Sequence, residues 1–128
     1  LDQEQHAKSR VVKVDSKESW EFHLNQATNQ CSHIVAHFTA IWSIPSVAMN
    51  PFMEESASTY QDILFLNIDV DDVKDVATKY EVKAMPAMPT FLLLKDGAPI
   101  DKLVGANPEV VKKRIESLLA QSNPIDIA

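Results

Sequence analysis

Two periods of apolar and polar residues alternate along the chain, and each change of period marks an element. Arg10-Val11-Val12-Lys13-Val14 reads as a short strand. Asp15, with Glu18 three residues on, is the expected cap and capping box of a helix that ends near Gln30. Trp20, Leu24 and Ala27 recur on one face of that helix. Ile34 to Phe38 is a β-branched apolar strand, and a tight turn at 43–46 follows it. A helical pattern begins at Ser46 and runs to about Tyr60, with Pro51 expected to kink it after its first turn. Ile63 to Asp69 is almost continuously apolar, as a central parallel strand buried on both faces requires. Asp72 opens a helix with Val73, Val76, Ala77 and Tyr80 inward. Thr90 to Leu94 and Ile100 to Val104 form a hairpin through Lys95-Asp96-Gly97-Ala98-Pro99, where Asp-Gly is the turn signal. Asn107 and Pro108 start a last helix with an apolar stripe of Val110, Val111, Ile115, Leu118 and Leu119.

The order β-α-β-α-β-α-β-β-α restricts the topology. Strands separated by helices need crossovers and form a parallel core, to which the closing hairpin adds antiparallel strands. The expected class is α/β: a three-layer sandwich with a mixed central sheet and helices on both faces. The expected division is a flexible extension over 1–9, one domain over 10–120 and a loose tail over 121–128.

Composition narrows the function more than the fold. The 128 residues suit one domain with one core. A net charge of −6 argues against nucleic-acid binding, which rests on clustered Lys and Arg. No run of 18 apolar residues exists, so no membrane span is expected. Cys31 is the one cysteine, which excludes an intramolecular disulfide and a cysteine-rich metal site. It falls in the link before the Ile34–Phe38 strand and reads as a small, partly buried residue, with a mixed disulfide or oxidation site as the sharper alternative. His6, His23, His33 and His37 have no metal-ligand spacing, and no metal or cofactor is expected. Leu1 to Ser9 is polar rather than a charged-then-apolar signal, which makes a reducing cytosol the default compartment.

The segment His37-Phe38-Thr39-Ala40-Ile41-Trp42-Ser43-Ile44-Pro45-Ser46 carries the most chemistry. A strand that stops in a turn and re-enters as a helix presents the turn at a helix N-terminus, where free N–H groups favour negative charge. Thiolates that must ionise near neutral pH sit in such places. Trp42-Ser43-Ile44-Pro45-Ser46 resembles the thioredoxin active-site segment Trp-Cys-Gly-Pro-Cys, with Ser43 and Ser46 at the two cysteine positions. Phe38-Thr39-Ala40, Pro51, Met88-Pro89-Thr90 and Val104-Gly105-Ala106 fall in the family's order. The resemblance covers about residues 10–120 and is nearest to plant h-type thioredoxins, especially the CxxS subgroup, in which serine replaces the second cysteine.

That resemblance implies a thioredoxin fold, protein-disulfide reductase or isomerase chemistry, and protein partners with disulfides or extended segments. It implies a cis proline before the penultimate strand, a role that falls to Met88-Pro89, and a buried proton-handling group at His37, where the family usually has Asp. The implied peptide site is an apolar rim of Trp42, Ile44, Pro45, Met85 or Met88, Pro89, Gly105 and Ala106. Ala84-Met85-Pro86-Ala87-Met88-Pro89 departs from the pattern by repeating Ala-Met-Pro, a lengthened loop beside the groove.

Ser43 and Ser46 decide the chemistry. Disulfide exchange needs one thiolate to attack and a second thiol to resolve the mixed disulfide. A helix terminus worth roughly 0.3–1 kcal/mol, about 2 at best, cannot ionise an alcohol. Redox inactivity through this turn is therefore expected. Ser43 is either an introduced replacement for a monothiol or the natural residue of a binding descendant of a redox fold. A serine-hydrolase reading of Ser43 or Ser46 with His37 lacks a Gly-x-Ser-x-Gly elbow and an orienting carboxylate. For His37 the plain expectation is a neutral buried imidazole, bonded locally. Two readings remain: a thioredoxin h-like protein of CxxS type that no longer turns clients over, and a non-enzymatic binding module or holdase. The chain is expected to be a monomer or a weak dimer.

Overall fold

The computed structural model describes residues 9–30, 32–82 and 88–121. In chain order the elements are β1 (Val11–Val14), α1 (Lys17–Gln30), β2 (His33–Thr39), α2 (Ile44–Val47), α3 (Asn50–Thr59), β3 (Ile63–Asp69), α4 (Lys74–Lys79), β4 (Thr90–Lys95), β5 (Ala98–Val104) and α5 (Pro108–Gln121). The five strands form one sheet in the order β1-β3-β2-β4-β5. β3 runs parallel to both β1 and β2, whereas β4 is antiparallel to β2 and to β5. The mixed sheet with its α/β order is the class read from the sequence.

Strand alternation divides the interior in two. Ile34, Ala36, Phe38, Leu66, Ile68, Leu92 and Leu94 pack with Trp20 and Ala27 of α1 and Val76 and Ala77 of α4. Val35, Phe65, Phe91 and Leu93 point the other way, against Met53 and Ala57 of α3 and Val111, Ile115 and Leu118 of α5. Helices on both faces explain the lack of polar alternation in β2 and β4. Burying each large apolar side chain contributes about 1.5–3 kcal/mol, and both clusters surround β2.

Several local expectations shift by a residue or two, each for a hydrogen-bonding reason. Ser16, not Asp15, caps α1: its hydroxyl accepts from the Ser19 amide at 3.0 Å, the capping role assigned by sequence to Asp15. The helix expected from Ser46 starts at Ile44, and it is interrupted at Ala48–Met49 rather than kinked. Pro51 lies in the first turn of α3, where its missing N–H costs nothing, so the chain starts a new helix there. The helix expected from Asp72 begins at Lys74 because Asp69 holds the preceding residues in a turn. Its carboxylate accepts from the Asp71 amide at 2.8 Å and its carbonyl from the Asp72 and Val73 amides. Val110 is 41% exposed and leaves the apolar stripe, since Val111, Ile115 and Leu118 already fill the narrow inner face of α5. β5 begins at Ala98 rather than Ile100.

Ser9, at the end of the expected extension, bonds through its hydroxyl to the Glu54 carboxylate at 2.7 Å. Residues 1–8, Cys31, the repeated Ala-Met-Pro up to Ala87 and the tail at 122–128 lie outside the described residues.

The β4–β5 hairpin turns on Asp96 and Gly97, whose φ values of 53° and 83° meet the two-residue requirement of the primed turns. A Cβ on Gly97 would stand 2.4 Å from Thr28 Oγ1. That hydroxyl bonds the Asp96 carbonyl at 3.2 Å and so pins the hairpin to α1. Gly97→Ala is expected to lower unfolding stability by about 1–3 kcal/mol, measured by urea denaturation. Combined with Thr28→Ala, its cost should be less than additive, because the double variant removes the clash and keeps only the backbone strain.

Candidate functional site

Register brings four segments to one edge of the sheet. Phe38 pairs with Thr90, Thr90 with Val104, and Thr39 with Asp69. The turn after β2, Pro89 before β4, Gly105 after β5 and Asp71 after β3 therefore leave the sheet together. The Val70 amide closes this edge by donating to the Thr39 carbonyl at 3.0 Å, and the Gly105 amide by donating to the Pro89 carbonyl at 2.9 Å.

The turn is held by its own hydroxyls. Ser43 is the N-cap of α2, and its Oγ accepts from the Ser46 amide at 3.4 Å. Ser46 is fully buried, and its hydroxyl lies 3.2 Å from the Ser43 carbonyl, 3.5 Å from the Ala40 carbonyl and 3.4 Å from the Ala40 amide. Both oxygens are thus engaged in backbone bonds. The helix they open has only four residues, and Pro45 removes one of its N-terminal donors. Such a terminus exerts a small field, and neither oxygen has a base beside it.

Trp42 lies across the rim with its indole donating to Asp71 Oδ2 at 2.8 Å. Nothing in the sequence pattern pointed to Asp71; its role depends on where β3 ends. Trp42 is 45% exposed, and Ile41 and Ile44 beside it are 84% and 81% exposed. Pro45 is exposed, Met88 and Pro89 are buried, and Ala106 is exposed. The Met88–Pro89 peptide bond is cis. Gly105 adopts φ +121°, and nothing lies within 4 Å of where its Cβ would be, which leaves that side of the rim open. Met85 lies outside the described residues.

His37 is fully buried on the sheet face covered by α3 and α5. Its ring stacks on Phe91 at 4.6 Å with 6° between planes, and Nδ1 is 3.0 Å from Asn67 Oδ1. Since Oδ1 can only accept, Nδ1 carries the proton and Nε2 is a bare acceptor. Nε2 is buried and has no partner among the described residues. His37 is therefore bonded neither to a carboxylate nor to Ser43 or Ser46, so no serine–histidine pair forms. Asn67 had a sequence signal, as the single amide in the apolar Ile63–Ile68 run. Burial pushes the His37 pKa down to about 4, opposed only by the Asn67 bond. Among the described residues no group of His, Cys, Asp or Glu could hold a metal ion, and no helix is long and apolar enough to cross a membrane.

The low His37 pKa has a definite sign. In the unfolded chain the imidazole protonates near 6.5, in the folded one near 4. Between those values the unfolded state binds the extra proton, so stability falls as pH falls through this window, by a few kcal/mol at most. His23 and His33, also lowered by burial, add to the same slope. Urea denaturation at points between neutrality and pH 4 should show a shallower loss in His37→Asn than in the unmodified chain; an unchanged slope would contradict the buried, neutral imidazole.

Comparison with known proteins bears on this geometry. The family described as Thioredoxin matches residues 10–117. Thioredoxin-like protein CXXS1 of Arabidopsis thaliana is 59% identical over 120 residues, 94% of this chain and 99% of that protein. A thioredoxin H-type of Populus jackii is 36% identical over 94% of this chain and 84% of its own length. The crystal structure of a poplar thioredoxin h mutant, 36% identical, superposes with a TM-score of 0.85 over 93% of this chain and 90% of that one.

Proposed function

The chain belongs to the thioredoxin family, and from that premise we propose that its turn at 43–46 recognises segments of other proteins without exchanging electrons with them. The observation that carries this reading is the state of the two hydroxyls. Ser43 Oγ caps α2 and Ser46 Oγ is buried against the Ala40 and Ser43 backbone, so the positions that would exchange a disulfide hold no sulfur. An alcohol neither attacks a disulfide at neutral pH nor leaves as a thiolate would. No electron-transport step runs through this turn.

The rim supports recognition. Trp42, Ile44 and Ala106 supply an amphipathic ring and exposed apolar area, and Gly105 a place where a partner backbone can approach closely, while Met88 and Pro89, whose side chains are buried, offer backbone alone. Extended segments of protein clients are the partners of this face, added in a strand-like manner. His37 keeps the core neutral beneath the turn. A reducing, cytosolic compartment suits the single cysteine, and the protein acts as a monomer or weak dimer.

Restoring sulfur separates a silenced oxidoreductase from a binding module or holdase. In a Cys31→Ser background, Ser43→Cys should form a mixed disulfide with a peptide disulfide, releasing one peptide thiol per adduct. The adduct should persist until an external thiol resolves it, because Ser46 cannot. Adding Ser46→Cys should give turnover with a thiol reductant. Silence of Ser43→Cys with client binding intact identifies the face as a binding module. Disulfide turnover by the chain carrying only Cys31→Ser would refute the proposal.

A further inference from the structure

We infer that the segments this face accepts are apolar stretches flanked by lysine or arginine. The inference rests on the recognition role proposed above and adds the chemistry of the partner.

Eight large apolar residues are exposed among those described, and Ile41, Trp42, Ile44 and Val47 account for four of them within seven positions. Scattered exposed apolar side chains are ordinary, whereas a contiguous group marks a contact surface. Neither Ile41 nor Ile44 contributes to either core cluster, so the fold does not require them to be apolar.

The charge beside this patch is net negative. Asp71 is joined to Trp42 through Oδ2, which leaves Oδ1 unused by the indole. Asp71, Asp72 and Asp75 line an adjoining cavity of about 330 Å³, with Lys17, Lys74 and Val73 on its other walls. Asp69, whose carboxylate accepts the Asp71 amide, stands at the root of the same turn. The carboxylates outnumber the two ammonium groups, and among the described residues none of the four makes an ion pair; the one pair present joins Arg114 and Asp101. From Ala40 to Met53 the chain holds no charged residue of either sign. A cation at the end of an apolar segment would find the Asp71 carboxylate on Trp42, with Asp72 and Asp75 beside it, and an anion would meet like charge there.

The test uses short extended peptides of alternating valine and threonine, blocked at both ends and flanked by paired lysines, serines or glutamates. Binding to the full chain is followed by calorimetry under reducing conditions. The lysine peptide should bind about tenfold tighter than the glutamate peptide, with serine between. That spread should collapse at about 1 M salt, where screening shortens to roughly 3 Å. It should also shrink in Asp72→Asn/Asp75→Asn, and Ile44→Ser, which removes apolar area without adding charge, should weaken all three. Equal affinity for the three peptides, a preference for glutamate, or a spread indifferent to the two aspartates would overturn the charge inference and leave segment recognition standing. If none of the three binds, the recognition role fails as well, and the inference falls with it.

Discussion

The antiparallel pairing of β2 with β4 is the constraint on which the rest of the structure depends. Because Phe38 lies opposite Thr90, the chain leaving β2 and the chain entering β4 meet at one edge. Parallel pairing of β2 with β3 then adds the Asp69–Asp72 turn to that edge, and β5 returns Gly105 to it. A slip of one residue in the β2–β4 register would turn His37 toward α1 and α4 and displace Pro89 from the turn. The two core clusters guard against this, since each requires its own set of alternate residues from β2 and β4. Site geometry and core packing are thus enforced by the same ladder.

Much of this was legible in the sequence where long apolar runs or turn chemistry spoke unambiguously. β3, β4, the Asp96-Gly97 hairpin and the buried stripe of α5 followed from period and turn type. Element starts were less legible, because neighbouring polar residues compete for the same backbone donors. Ser16 and Asp15 are both good caps, and it is the Ser16 hydroxyl that accepts from the Ser19 amide. Asp69 ends a strand and also builds the turn that delays α4. Pro51 permits either a kink or a fresh helix, and the second accompanies the burial of Met49 and Met53 in the cluster that holds Val35, Phe65 and Phe91.

Within the site, local roles were readable and cross-strand ones were not. The Trp42 to Ser46 turn stands out in the sequence, yet the Asp71 acceptor and the Phe91 stacking partner are distant in sequence and become neighbours only through register. His37 shows the difference well. Its place in an apolar strand indicates burial, but its tautomer and unpaired Nε2 depend on Asn67 lying opposite in β3.

Serine at positions 43 and 46 changes what the turn rewards. A buried thiolate would need the field of a helix terminus, whereas a hydroxyl both donates and accepts and can knit the turn to itself. Ser46 reaches Ala40 and Ser43, and Ser43 reaches back to Ser46. The same substitution removes the need for an ionisable acceptor beneath it. A buried carboxylate at position 37 with no proton to manage would be an uncompensated charge, while a neutral imidazole stacked on Phe91 satisfies one nitrogen and packs with the other. The oxygen at the tip and the histidine below it are therefore one consistent arrangement: a turn stabilised by hydrogen bonds within itself, over a core that need not titrate at neutral pH, presenting Trp42, Ile41 and Ile44 outward. On the recognition role proposed for this face, what such a turn contributes is shape and apolar area.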